Sequence, residues 1–398
     1  MNVEKPRKDF PPLDCQKPVI YFDNACMTLR PRQVIEAMNE YYEKYPGCGG
    51  RSMHRFGKET SEKYAQARKI ISKHIGAEKP AEIVFTRNTT EGINLVANSF
   101  GLKRGDVVLT TDREHNSNLI PWMFLEKKVG IKHKIIKSKN DMTFDLESFE
   151  RAVKGVKIVS FVHTSNLDGY TLPVKEIIEI AHKNGALVLL DGAQYVPHNN
   201  LDVRKLDVDF YAFSGHKMIG PSGTGVLYGK MELLERLDQF IVGGDTVKDS
   251  TYTGYIQEDV PERFEAGLQN YSGFIGLAAA IKYLSGIGMD NIQKHEHGLN
   301  RIASEDAENI KGLKIIGPSS VQERGGILSF NIEHMDPHSI AIMLDSRNIM
   351  VRSGMHCVHS WFNAHKINGS VRASFYFYNT KEEVEIFIQK LEEIAKLR

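Results

Sequence analysis

Two hydrophobic rhythms alternate along most of this chain. Short apolar runs of strand length recur at 19–22, 82–86, 106–110, 157–162, 185–190, 210–214 and 225–228. The run Gly185-Ala-Leu-Val-Leu-Leu190 is continuous rather than alternating, as expected of a strand buried on both faces of a parallel sheet. Between the runs lie stretches with helical spacing. From 32 to 45, Val34, Ile35, Met38, Tyr41 and Tyr42 form one stripe, and Pro31 is placed to open that helix at its first position. Helices also follow at 89–97 and 273–287. This alternation predicts an α/β fold with a mostly parallel sheet covered by helices on both faces.

The tail breaks the rhythm. A polar helix at 290–310 leads to a strand at 326–331, a helix at 337–347 and a short extended stretch at 350–352. A strand at 371–378 and a last helix at 382–397, capped by Thr380 with Glu383, complete a smaller α+β domain. We expect a large domain over 18–286, and a small domain made of 287–398 and the arm 1–17. The stretches 45–57 and 243–261 read as loops, the first flexible and cationic.

Composition narrows the class. The 398 residues are 41% hydrophobic and 25% charged, ordinary for a globular chain with a large core. A net charge of +1 gives no reason to expect nucleic acid or an anionic membrane as partner. No apolar run reaches membrane-spanning length, and 1–17 is too polar for a signal peptide. Cys15, Cys26, Cys48 and Cys357 show no C-x-x-C spacing, so neither a disulfide framework nor a zinc motif is expected. A cytoplasmic protein with reduced thiols is the expectation.

The chemistry gathers at two strand ends. The strand at 210–214 stops in a Ser-Gly-His turn that delivers Lys217. A lysine there is most often solvated, but Gly220-Pro-Ser-Gly-Thr-Gly225 follows and lets backbone approach closely. A lysine crowded by other positive groups has a lowered pKa and can condense with an aldehyde. Ser214 and His216 beside it could bind a phosphate. The strand at 185–190 ends in Asp191-Gly-Ala-Gln194, at the edge where open α/β sheets bind ligands. A strand-end aspartate alone is usually a helix cap or a metal ligand. Paired with a downstream lysine, it suits pyridoxal phosphate: the lysine holds the aldehyde and the carboxylate keeps the pyridine nitrogen protonated.

Asp191-Gly-Ala-Gln194 with Ser214-Gly-His-Lys217 resembles the class V aminotransferases, and within them the cysteine desulfurases, from about Tyr21 to the C-terminus. The resemblance implies the aspartate aminotransferase-like fold (fold type I), with pyridoxal 5'-phosphate as cofactor. It makes Thr89 and Thr90 phosphate binders, a role a helix N-terminus supports physically, although threonines there are usually caps. His115 would stack on the pyridine ring and move protons. Asn166 would bond the cofactor's phenolic oxygen, with Gln194 acting similarly, and lie near the substrate. Arg372 would clamp the substrate carboxylate, with Arg352 nearby.

Arg352-Ser-Gly-Met-His-Cys-Val-His359 resembles the short nucleophile loop of the SufS-like, group II branch. A cysteine between His356 and His359, after a glycine, is easily deprotonated and mobile. A zinc site at Cys357, His359 and His365 lacks a fourth ligand, so no metal is expected. The resemblance then implies conversion of L-cysteine to L-alanine, with a persulfide on Cys357. That sulfur would pass to an acceptor (SufE/SufU-like or a scaffold) for iron–sulfur cluster assembly or thiolation. Selenocysteine lyase, an epimerase-like relative and a non-catalytic sulfur carrier stay open. Met53-His-Arg55 resembles the family's Val-His-Arg, and with 267–272 it implies a homodimer sharing its sites. Several positions depart from the family, Asn88 standing where it has a glycine and Met355 where a histidine is usual. Cys26 stands where relatives have a small residue, and Tyr271 where they have a threonine that reaches the other subunit's phosphate. Tyr271 or Ser272 could substitute there.

Overall fold

The computed structural model describes residues 3–15 and 19–398, so the arm expected over 1–17 lies partly outside the described residues. A two-residue strand, β1 (Ile20–Tyr21), comes first. The central sheet takes β2 (Ile83–Thr86), β3 (Val107–Thr111), β4 (Lys132–Ile136), β5 (Val156–Val162), β6 (Leu187–Asp191), β7 (Phe210–Ser214) and β8 (Gly225–Gly229). Their order is β2-β8-β7-β6-β5-β3-β4. Every neighbour from β7 to β4 is parallel, and β8 alone runs against both of its neighbours. The link between β7 and β8 holds no crossover helix, so the chain can only reverse there.

Side chains alternate between two apolar layers. Along β6, Val188 and Leu190 join one layer and Leu189 the other. The first layer is closed by Ile71 of helix Arg55–His74, Ile177 of helix Val174–Lys183 and Leu277 of helix Tyr271–Ile287. The second is closed by Val96 of helix Thr89–Ser99 and Trp122 of helix Asn116–Lys128. The strand β4 escaped prediction because it reads Lys-His-Lys-Ile-Ile. It is the sheet edge, where lysines discourage pairing with another chain.

The stretch expected to be loop at 243–261 contains an exposed hairpin, β9 (Val247–Thr251) with β10 (Gly254–Gln257). Four further strands, β11 (Leu313–Ile316), β12 (Ile327–Ile332), β14 (Arg352–Gly354) and β15 (Ser370–Ser374), form an antiparallel sheet, with β13 (Ile349–Met350) beside it. β13 pairs in parallel with β1. Helix Lys381–Ala395 covers this second core, and Thr380 and Glu383 make the expected capping box.

Several boundaries differ from expectation. Pro31 is the N-cap of helix Arg32–Lys44 rather than its first residue. Only Val34 of that helix is buried, while Ile35 and Tyr42 of the stripe are exposed. Residues 55–57, read as loop, open helix Arg55–His74, where the His54 ring accepts the Gly57 N–H at 3.3 Å. β15 stops at Ser374 because Tyr376, Phe377 and Tyr378 turn back into the large core. Phe10 packs on Phe377 and Tyr378 in that same core, whereas Phe22 belongs to the small one. The segment around β1 therefore ties the two cores together. Among the described residues no single helix is long and apolar enough to cross a membrane.

Candidate active site

The carboxyl ends of β5, β6 and β7 open into a cavity of ≈ 220 Å³ that Arg352, His356, Cys357 and Arg372 line from the other side. Asp191, Lys217, His115, Arg372, Arg352 and Cys357 all line it. So do Thr89, Thr90, Asn166, Gln194, Ser214 and His216. Residues far apart in sequence thus converge on one point, as the strand-end rule requires.

Lys217 ends the 3₁₀ turn Gly215–Lys217 after β7. It makes no hydrogen bond among the described residues. Burial lowers its pKa, Arg372 lowers it further, and Asp191 opposes them. Asp191 is 3% exposed, and its Oδ1 accepts the Ala193 N–H at 3.0 Å. Desolvation raises its pKa, against the nearby Lys217 charge.

At the far end of the cavity the N-terminus of helix Thr89–Ser99 carries a cluster of hydroxyls. The Ser214 hydroxyl oxygen accepts the Thr89 N–H at 2.8 Å and lies 2.6 Å from Thr89 Oγ1. Thr90 Oγ1 lies 2.6 Å from Ser117 Oγ, at the start of a second helix. Two helix N-termini and paired hydroxyls make an anion cradle. Gly225 lets the cradle form: a Cβ there would sit 2.4 Å from the Asn88 Cα. Ser117 was missed in sequence, although its place just after Glu114-His-Asn was a signal.

His115 caps its helix by accepting the Ser117 N–H on Nδ1 at 3.1 Å, which leaves Nε2 to carry the proton. Burial and the neighbouring cations lower its pKa to about 3, so the ring is neutral. His216 is likewise held down, to about 4, by burial and then Lys217. Asn166 donates to the His356 carbonyl at 2.7 Å and Gln194 to that of Ala25 at 2.6 Å. Both side-chain oxygens stay buried without a partner.

Arg372 and Arg352 face each other across β15 and β14. Arg372 is 2% exposed, donates to the Asn166 carbonyl at 2.9 Å, and pairs with Asp23 at 3.5 Å. Its Nε is buried without a partner. Arg352 lies 3.7 Å from Asp23 and donates to Cys26 Sγ at 2.9 Å. Neither Asp23 nor Cys26 was expected to join these arginines.

Cys357 sits half-exposed on its loop, with its carbonyl accepting the Asn116 N–H at 2.7 Å. His356 and Cys357 both adopt left-handed backbone, with φ of 48° and 59°, a strained setting for non-glycine residues. His356 lends the thiol no charge. It is buried beside Ser370 at 2.9 Å, and burial lowers its pKa to about 2. His359 bonds Asn116 at 2.9 Å and His365 stacks on Trp361, away from any shared centre with Cys357. Among the described residues no three His, Cys, Asp or Glu side chains could hold a metal ion. Ser272 is 3% exposed and bonds Tyr42 at 2.9 Å, while Tyr271 bonds the Gly49 carbonyl at 3.4 Å. Both hydroxyls are thus engaged within the protomer.

An open α/β sheet with a lysine, a strand-end aspartate and an anion cradle at its edge defines the class, and the chain belongs to the class V aminotransferase family, matched over residues 20–387. Within that family it is a member of the cysteine desulfurases. It is 43% identical to a probable cysteine desulfurase of Pyrococcus abyssi, across 99% of this chain and 98% of the relative. It is 36% identical to a cysteine desulfurase of Haloferax volcanii, across 100% and 98%. The apo cysteine desulfurase of Thermococcus onnurineus NA1 superposes with a TM-score of 0.96 at 42% identity, covering 100% of this chain and 99% of that one.

Proposed function

We propose that this protein is an L-cysteine desulfurase that yields L-alanine and leaves the sulfur as a persulfide on Cys357. The carrying observation is that one cavity joins Lys217, Asp191, Arg372 and Cys357. Pyridoxal 5'-phosphate is the cofactor, and the residues present fit it. The free Lys217 amine, the buried Asp191 carboxylate, the hydroxyl cradle and the unpartnered Asn166 and Gln194 oxygens match its aldehyde, ring nitrogen, phosphate and ring substituents in kind. Bound there, the cofactor supplies an aldehyde for amines and a ring that draws electrons from the substrate's Cα.

Each protein group then has a task. Lys217, with its charge disfavoured by burial, is the amine for the aldehyde and the base for the Cα proton. Asp191 would hold the ring nitrogen's proton. Thr89, Thr90, Ser214 and His216 would hold the phosphate, and Asn166 and Gln194 would orient the ring. His115, neutral, would lie against the ring and offer its Nε2 proton. Arg372 takes the substrate carboxylate, loosening its contact with Asp23, and Arg352 adds charge at the cavity mouth. Cys357 Sγ attacks the substrate sulfur. The new S–S bond forms, the C–S bond breaks, and its electron pair stays with Cβ, which takes one proton to become alanine's methyl group, while Cα regains the proton it lost.

The persulfide passes to an acceptor protein, SufE/SufU-like or a scaffold, at the exposed end of the Cys357 loop. Exposed apolar side chains at Val242, Tyr252, Ile256 and Leu268 give surface that a homodimer would cover. The large domain, 18–286, carries the cofactor, and 287–398 with the arm 1–17 closes over it. Free cysteines suit a reducing, cytoplasmic location. The test is Cys357→Ser in the cofactor-loaded enzyme. It should keep the cofactor's visible absorbance and its change on adding L-cysteine, yet make no alanine. Alanine at the wild-type rate would overturn the reading.

A further inference from the structure

We propose that Cys26 is a second sulfur-carrying thiol, which takes the outer sulfur of the Cys357 persulfide by thiol–persulfide exchange. The proposal rests on the desulfurase reading. Cys26 and Cys357 line the same cavity, whereas Cys15 and Cys48 do not. Arg352 donates to Cys26 Sγ at 2.9 Å, so the sulfur has a fixed cation to hold negative charge. The same cavity wall carries the buried, unpartnered Nε of Arg372, a second donor without a protein acceptor.

The two thiols are mounted differently. Cys26 sits on a braced turn: its N–H bonds the Asp23 carbonyl at 3.1 Å and the Ala25 N–H bonds Ser374 Oγ at 2.8 Å. Gln194 holds the Ala25 carbonyl from the other side at 2.6 Å. Cys357 instead follows Gly354, at φ 111°, on a loop with two strained non-glycine residues. Moving that loop relieves the strain, so Cys357 travels and Cys26 receives.

The exchange balances without any further reagent. The Cys26 thiolate attacks the outer sulfur of Cys357–S–SH, a Cys26–S bond forms, and the Cys357 S–S bond breaks. Cys357 leaves as thiolate and takes up the proton that Cys26 gave. No net oxidation occurs. Cys357 is then free for a second turnover, and the protomer stores two sulfurs before any acceptor arrives.

The test uses cofactor-loaded enzyme mixed with L-cysteine in the absence of reductant and acceptor. Wild type should release a burst of about two alanines per protomer, and peptide mass spectrometry should find one sulfur on each of the Cys26 and Cys357 peptides. Cys26→Ser should halve the burst and carry sulfur on Cys357 alone, and Cys26→Ala is the alternative variant should the serine form fold poorly. A wild-type burst of one, a burst unchanged by loss of Cys26, or a second sulfur on Cys357, Cys15 or Cys48 would overturn the proposal. No burst and no sulfur on Cys357 would overturn the desulfurase reading and this proposal with it.

Discussion

Removing the Glu265 carboxylate should unfold this protein far more readily than an ordinary surface change. Glu265 lies between the helix Arg55–His74 and β2, and clamps the stretch Arg263-Phe-Glu-Ala-Gly267 to both. Its oxygens accept from Arg68 at 2.7 and 2.8 Å, from the Phe85 N–H at 2.7 Å and from the Tyr64 hydroxyl at 3.3 Å. Burial opposes the charge on Arg68, but the carboxylate outweighs it and raises the pKa above the usual arginine value. The Arg68 side chain is only 9% exposed, so Glu265→Ala strands a buried cation and an unsatisfied N–H. The cost should be about 3–5 kcal/mol, read as a fall of about 4–6 °C in Tm. Urea unfolding of the cofactor-loaded protein gives the energies. The decisive variant is Arg68→Met with Glu265→Leu, which removes both charges and keeps volume. It should cost less than either single change to alanine, because the desolvation penalty goes with the charges. A double variant that costs as much as the two alanine changes together, or a single-site cost below about 1 kcal/mol, would refute the reasoning.

Three further outcomes follow from the site. Arg372→Lys should lower kcat/KM for L-cysteine by about 10²-fold, because one ammonium replaces a planar fork that also bonds the Asn166 carbonyl; steady-state kinetics unchanged within twofold would exclude the carboxylate role. Gly225→Ala should cost about 1–3 kcal/mol and weaken cofactor retention, since the new methyl meets Asn88 backbone at 2.4 Å beside the hydroxyl cradle; equilibrium dialysis showing unaltered retention would contradict it. Burial raises the pKa of Glu114 to about 7, against 4.5 unfolded. Between those values the unfolded chain gives up a proton that the fold keeps, so stability falls by about 3 kcal/mol as pH rises from about 4.5 to about 7, and levels off above. Glu296 is raised to about 7 as well, so Glu114→Gln should lessen that slope in urea midpoints without abolishing it; an identical slope in the variant would assign it elsewhere.

Much of this molecule was legible in sequence because its signals are local. A strand buried on both faces must be apolar throughout, so 185–190 announced β6, and its terminal aspartate announced the ligand edge. The turn at Ser214–Lys217, the helix N-terminus at Thr89 and the capping box at Thr380 are each written in a few adjacent residues. Short-range chemistry has nowhere else to be encoded.

What only the tertiary structure decided depends on residues that meet from far apart. The polar edge strand β4 forms because a neighbour pairs with it, not because its residues prefer extension. The reversal of β8 follows from the length of a connection, and the early end of β15 from three aromatics claimed by the other core. The neutrality of His356 follows from burial, which nothing beside it in sequence reveals. The meeting of Cys26 with Arg352 joins two sites at opposite ends of the chain. Desolvation and cross-strand neighbours are properties of the packed molecule, and no stretch of sequence carries them alone.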